Sequence, residues 1–228
     1  MLCGARLLYN YVWPGGVSHD LPPKFIQKTH EFLDYFLPQI DEYNQVLTSN
    51  KIFIERSADV GVLPLDVGIN YGVTGPTLRG SGSTFDLRKD EPYSVYDKFD
   101  FDVPVGEGLM GTVGDCWDRY YVKVLEMKES AKIIRQALDG IPSGDVHEVL
   151  PKKIRPPKGE VYSRYESARG DVGFYIRSAG KNMPDRLKMR SPAYCNLSVL
   201  NEISEGWMMS DVIAALGSLD IVLGEIDR

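Results

Sequence analysis

Residues that bind metals or form disulfides are scarce in this chain. Its three cysteines, Cys3, Cys116 and Cys195, lie far apart and form no C-x-x-C pair. Its three histidines, His19, His30 and His147, do not cluster with them. A metal centre needs such ligands at short spacing, so the pattern predicts reduced thiols and no metal bound by this chain. Basic excess is missing too. Lys and Arg number 26 against 32 Asp and Glu, a formal net charge of −6. That argues against a nucleic-acid partner, because binding phosphates needs a basic face. No apolar run approaches the roughly 20 residues needed to cross a bilayer. No signal peptide is visible, since Arg6 and Asn10 interrupt any apolar core. Any membrane association is therefore expected to come through partners. No G-x-G-x-x-G follows a strand and opens a helix, so no dinucleotide site is visible, and no internal repeat is apparent.

What is present suits a globular chain. Of 228 residues 43% are hydrophobic, which predicts a single domain, 1–228, with a sizeable core. Leu21 to Leu47 reads as helical: Phe25, Phe32, Leu33, Phe36, Leu37, Ile40, Tyr43 and Leu47 recur at three- and four-residue steps. Pro22 and Pro23 suit its first turn, and Pro38 is expected to kink or split it. A second helix is predicted from about Asp115 to Leu138, with Gly140 at its end. Its stripe Tyr120, Val124, Met127, Ala131, Ile134 and Leu138 reads as core packing rather than ligand contact.

Between these helices, Gly72 to Gly114 is rich in glycine, aspartate and aromatics and has little periodicity. It reads as loops and short strands. A loop of that length in a compact domain is usually functional or sits at an interface. Its Arg79, Arg88 and Lys89 could pair with acids of neighbouring subunits, but as solvated charges they need no special role. Lys152–Lys158 reads as an extended basic linker. Val161–Tyr165, Val172–Ser178 and Arg186–Arg190 predict a small antiparallel sheet within residues 159–190. Short helices are expected over Val199–Ile203 and Ser210–Leu216.

Two segments could carry chemistry. In Glu166-Ser-Ala-Arg-Gly170 the glycine allows a tight turn or close backbone approach. Arg169 either pairs with an acid near a cavity or is an ordinary surface arginine. The tail Asp220–Arg228 combines apolar Ile221, Val222, Leu223 and Ile226 with charged Asp220, Glu225, Asp227 and Arg228. Such a segment either packs and pairs its charges or walls an apolar slot. In a slot its carboxylate would have a raised pKa, and the ligand would be a flat ring with carbonyls, such as a quinone.

The tail also resembles the D-P-C-x-x-C-x-x-H terminus of nickel–iron hydrogenase large subunits with its ligands replaced. Asp220 keeps the aspartate, Val222 and Glu225 stand at the cysteines, and Arg228 stands at the histidine. None of the three replacements supplies the soft thiolate those metals need. Further motifs run in order: Gly4-Ala-Arg6 through Pro14-Gly-Gly-Val17, Thr74-Gly-Pro-Thr-Leu-Arg-Gly80, Asp86-Leu-Arg-Lys89, Phe101-Asp-Val-Pro104, Gly114-Asp-Cys-Trp-Asp-Arg119, Glu166–Gly170 and Arg190-Ser-Pro-Ala-Tyr-Cys-Asn196. Together they resemble the 49-kDa-type (D) subunit family of respiratory complex I.

The resemblance implies a predominantly helical α+β fold like that of the hydrogenase large subunit, with the N-terminal part missing and Met1 an internal methionine. It implies a quinone chamber in place of the metal cavity, with Val222, Asp220 and Leu8 toward the quinone. Arg228, Glu166, Arg169 and Gly170 would be structural near the cavity. It further implies a proton-translocating NADH–quinone oxidoreductase on the cytoplasmic side of a bacterial inner membrane. NADH, FMN and iron–sulfur clusters would sit on other subunits. The small iron–sulfur (B-type) subunit, the C-type subunit and the membrane arm would be partners. The family often carries histidine at Leu8 and arginine at Trp13. Leucine cannot titrate, and its presence goes with menaquinone. A ferredoxin- or deazaflavin-driven quinone-reducing complex, or a metal-free scaffold, are the rival readings.

Overall fold

The structure, a computed structural model, describes residues 2–6 and 9–227. Two long helices form its spine. Helix α1 (Phe25–Tyr43) and the helix designated α6 (Cys116–Asp139) run antiparallel. As numbers rise along one they fall along the other: His30 meets Asp139 (3.8 Å), Asp34 meets Arg135 (2.6 Å) and Asp41 meets Lys128 (3.5 Å). These exposed pairs add little stability. The pairing is held by Leu33, Ile40, Ala131 and Leu138, all buried. α1 is not split at Pro38. The irregularity falls downstream instead, as a π-helical turn at Asn44–Thr48, and packing against α6 carries the helix through the proline. α6 begins on Asp115, whose carboxylate accepts the Asp118 N–H at 2.8 Å, and ends at Gly140.

Before α1 stands a small hairpin, β1 (Val12–Trp13) with β2 (Gly16–Val17). After it, Asn50 caps α2 (Lys51–Ser57), and α3 (Leu65–Asn70) follows. The expectation for Gly72–Gly114 needs correction in two respects. Its regular elements are the short helices α4 (Pro76–Arg79) and α5 (Leu87–Asp90) and a 3-10 turn at Tyr96–Lys98, with no strand. Moreover, residues 73–81 are buried without a break. This stretch is part of the core, in which Val73 and Leu78 pack with Val60, Leu63, Cys116, Val199, Ile203, Ala215 and Leu219. Polar Thr74, Thr77 and Arg79 alternate with the apolar residues, which hid the segment from a periodicity reading.

The predicted sheet is present, with longer strands: β3 (Gly159–Ser167), β4 (Gly170–Ser178) and β5 (Arg186–Arg190), antiparallel in the order β3-β4-β5. Four helices complete the chain: α7 (Pro192–Ser198), capped by Ser191, then α8 (Leu200–Ser204), α9 (Met209–Leu219) and α10 (Leu223–Asp227). The residue pattern had pointed neither to α7 nor to a helical tail. The architecture is α+β, predominantly helical. Among the described residues no helix is long and apolar enough to cross a membrane.

Candidate functional site

The site is assembled where the β3–β4 turn meets the start of α4. Gly75 (φ 71°) and Gly170 (φ 127°) allow their backbones to touch. A Cβ on Gly75 would lie 2.5 Å from the Arg169 carbonyl oxygen, and one on Gly170 would lie 2.5 Å from Thr74 Oγ1. Asn196, fully buried, ties the two together: its Oδ1 accepts the Thr74 N–H (3.2 Å) and its Nδ2 donates to the Arg169 carbonyl (3.1 Å). This contact sets Glu166 against Arg79 and Arg169 against Asp220.

Arg79 is 1% exposed and binds three carboxylates. Its Nε and Nη2 both lie 2.7 Å from Glu126 Oε1. Its Nη1 is shared among Glu166 Oε1 (2.9 Å), the Phe85 carbonyl (3.2 Å) and Asp86 Oδ2 (3.4 Å). Asp86 also grips Arg88, with Nε at 2.9 Å from Oδ1 and Nη2 at 2.6 Å from Oδ2. Burial pushes the Asp86 carboxyl up, but Arg88 and Arg79 outweigh it and hold the group below the usual carboxylate range. For Glu166 burial wins and its pKa is raised. The Tyr93 hydroxyl, pushed up to about 12 chiefly by burial, stays neutral and brackets the Glu166 backbone, accepting its N–H at 3.1 Å. Arg79 and Arg88 are therefore not the solvated charges expected from sequence.

Asp220 closes α9 in a left-handed conformation (φ 54°, ψ 50°). Arg169 donates to its carbonyl oxygen (3.2 Å) and its Oδ1 (3.3 Å). Lys123 lies 3.5 Å from its Oδ2 and donates to the Ser218 carbonyl at 2.9 Å. Burial lowers the Lys123 pKa, against the pull of Asp220.

Two clefts meet at this pair. One, about 540 Å³, is walled by Phe32, Phe36, Met127 and Ile134 and floored by Arg79, Glu126 and Glu166. The other, about 490 Å³, is lined by Phe53, Tyr120, Val124, Ala214 and Gly217. Both reach Lys123, Met127 and Asp220. The α6 stripe expected to be core is thus partly cleft wall.

Of the residues singled out from sequence, Glu166, Arg169, Gly170 and Asp220 come together here. Val222 is 39% exposed, just before α10, and lines neither cleft. Glu225 braces α7, its Oε1 accepting from Ser191 Oγ (2.8 Å) and the Ala193 N–H (3.1 Å). Leu8 and Arg228 lie outside the described residues. Sequence reasoning missed Asp86, Glu126 and Lys123, and misjudged Arg79. The available signal was the run of polar residues, Lys123, Glu126 and Ser130, flanking the apolar stripe of α6 at three- and four-residue steps. Among the described residues no three His, Cys, Asp or Glu are grouped so as to hold a metal ion.

Comparison with known proteins gives a consistent result. The family model described as respiratory-chain NADH dehydrogenase, 49 kDa subunit, matches residues 1–154 and 147–228. The chain is 51% identical over 233 residues to the NADH-quinone oxidoreductase D-type subunit (form 1) of Cytophaga hutchinsonii, covering 99% of this chain and 59% of that protein. It is 51% identical over 231 residues to the corresponding D-type subunit of Chlorobaculum tepidum, covering 100% of this chain and 58% of the relative. Against the D-type subunit of Chlorobium luteolum it is 49% identical, covering 99% and 58%. The chain therefore spans less than two thirds of the length of these relatives.

Proposed function

Because the chain belongs to the respiratory-chain NADH dehydrogenase 49 kDa subunit family, we propose that it forms part of the quinone chamber of a proton-translocating NADH–quinone oxidoreductase. The observation that carries this reading is the family match along the whole chain, in a segment whose clefts combine apolar walls with titratable floors. A quinone ring is flat and apolar with two carbonyls, and such a cavity suits it. The fold is proposed to be that of the hydrogenase large subunit, with the metal cavity given over to quinone. Asp220, pinned by Arg169 and Lys123 at the junction of the clefts, presents the tail. Val222, which lines neither cleft, and Leu8 are proposed to extend the quinone wall beyond the clefts in the assembled complex, and Arg228 to balance the local charge.

Electrons are proposed to arrive from the terminal iron–sulfur cluster of the small B-type subunit, fed by NADH through FMN on other subunits. The C-type subunit and the membrane arm are the further partners. The complex would sit on the cytoplasmic side of the bacterial inner membrane, with this chain peripheral. Menaquinone is the proposed acceptor, because a non-titrating Leu8 suits a cluster whose potential depends little on pH.

The test is Val222→Met in the assembled complex. Inhibitor sensitivity of quinone reduction should shift several-fold while assembly and NADH oxidation by ferricyanide remain. Loss of assembly without an inhibitor effect would place Val222 in packing rather than in the chamber. Membranes that reduce quinone with reduced ferredoxin but not with NADH would replace the proposed donor.

A further inference from the structure

Resting on the quinone reading above, we infer that Thr77 is a positioning residue of that site: its hydroxyl, oriented by Asn196, holds the Leu219 carbonyl and so fixes where the Asp220 carboxylate stands.

An α-helix leaves its last carbonyls without partners of its own, and a helix that ends in a left-handed residue usually has glycine there. α9 ends instead on Asp220, a left-handed residue that carries a side chain (φ 54°, ψ 50°). That backbone is disfavoured for an L-residue and persists only where the surroundings over-determine it. Here they do, because from Gly217 to Asp220 every carbonyl is taken. Gly217 accepts the Asp220 N–H at 3.2 Å. The other three are capped by side chains from three different elements: Ser218 by Lys123 of α6 (2.9 Å), Leu219 by Thr77 of α4 (3.4 Å) and Asp220 by Arg169 of the β3–β4 turn (3.2 Å).

Of the three caps Thr77 is the rigid one. Lys123 and Arg169 are long chains, 22% and 33% exposed, and can follow the carboxylate they pair with. Thr77 is β-branched and 2% exposed, inside the unbroken buried run 73–81. Its hydroxyl is aimed from behind by Asn196. One hydrogen of the Asn196 amide goes to the Arg169 carbonyl (3.1 Å), and the other lies between the Thr74 carbonyl (3.4 Å) and Thr77 Oγ1 (3.5 Å). With its oxygen toward that amide, the Thr77 hydroxyl turns its own hydrogen to Leu219. The same amide therefore orients one cap of Asp220 and holds the backbone of another.

Thr77 lines neither cleft, whereas Asp220 lines both. Without the hydroxyl the Leu219 carbonyl is left buried and unpaired, and the end of α9 relaxes toward another partner. The Asp220 carboxylate then moves relative to both clefts, and a ligand loses a placed contact while the bulk of the chamber is unchanged.

The test is made on the assembled complex. Thr77→Val keeps the shape and lacks the hydroxyl. KM for a short-tailed naphthoquinone should rise about tenfold, short of the roughly hundredfold that a full 1 Å misplacement costs, with kcat nearly unchanged and NADH–ferricyanide activity intact. A residue that served stability alone would lower the amount of complex without moving KM. Thr77→Ser restores the hydroxyl and should bring KM back toward the parent value. Because Pro76 and Arg79 of the same helix also line the polar cleft, Thr77→Val is also combined with Asp220→Asn. If Thr77 acts through Asp220, the double variant is no worse than Asp220→Asn alone.

An unchanged KM in Thr77→Val overturns the inference, as does a rise that Thr77→Ser fails to reverse or one that simply adds to that of Asp220→Asn. Should Thr77→Val not assemble, Thr77→Ala, which empties the contact instead of filling it, is read in the same way. If neither assembles, Thr77 is needed for folding rather than for placing Asp220, and the inference falls. If Asp220→Asn raises KM while Thr77→Val does nothing, the chamber stands and the positioning role falls. If Asp220→Asn and Val222→Met both leave quinone chemistry unchanged, the chamber itself is misplaced and the inference falls with it.

Discussion

The two clefts on either side of Lys123 and Asp220 share one helix and differ in almost everything else. On one side α6 offers Glu126 to a buried cluster of five charged groups. On the other it offers Tyr120 and Val124 to the small residues Ala214 and Gly217 of α9. The polar side is held by specific pairing, so its groups depend on one another. The apolar side is held by surface removed from water, which is additive and indifferent to direction. A lost charge should therefore be felt strongly in the first cleft, and a changed volume only weakly in the second.

Arg79→Ala should break the comparison hardest. It strands Glu126, Glu166 and Asp86 beside a cavity, and removing one partner of a buried ion network costs about 3–5 kcal/mol. Urea unfolding of the purified chain reads this directly as a lower midpoint, and an unchanged midpoint would mean that the cluster is solvated.

The next effect is in pH dependence, with opposite signs for two carboxyls. Asp86, held below the ordinary range, contributes stability that is present above its unfolded value and is lost as pH falls through its depressed folded value. Asp86→Asn should flatten the acid limb and lower neutral stability by about 1.5–3 kcal/mol, the worth of hydrogen bonds to charged groups. Glu166, raised by burial, does the reverse: stability falls as pH rises from its unfolded value through its folded one. Glu166→Gln should remove that decline. Unfolding midpoints at several pH values distinguish the two.

Lys123→Met tests the boundary between the clefts. It removes the bond to the Ser218 carbonyl and the pairing with Asp220, worth about 1 kcal/mol together once screening by solvent is allowed for. Proteolysis of the tail should become faster, since Asp220 would then be held by Arg169 alone. The smallest effect belongs to the apolar cleft. Ala214→Leu fills open space, so it should change stability by less than the roughly 1–3 kcal/mol of a true overpacking. A larger loss would show that the cleft is not open in solution.

Several elements were legible from residue order. The α6 boundaries followed from Asp115 and Gly140, because capping chemistry is local. The three-stranded sheet followed from alternation and turn residues, because strand pairing between neighbours in sequence needs little else. The resemblance in ordered motifs reached the family, and the family model agrees. α7 was less visible because its cap, Ser191, and its proline lie among residues that also read as a turn. Of the two outcomes expected at Pro38 the split is absent, because packing that only the second helix supplies carries α1 through the proline.

The residues at the site divide along the same line. That Gly170 allows a close approach was a property of the residue, and so was the absence of thiolate from the tail. That Gly75 is what Gly170 approaches, and that Arg79 is buried among three carboxylates, depended on segments distant in the chain meeting in space. Charge type is written in the sequence. Solvation, which decides whether an arginine is a free surface group or the pivot of a buried network, is set by what surrounds it, and only the tertiary structure brings those surroundings together.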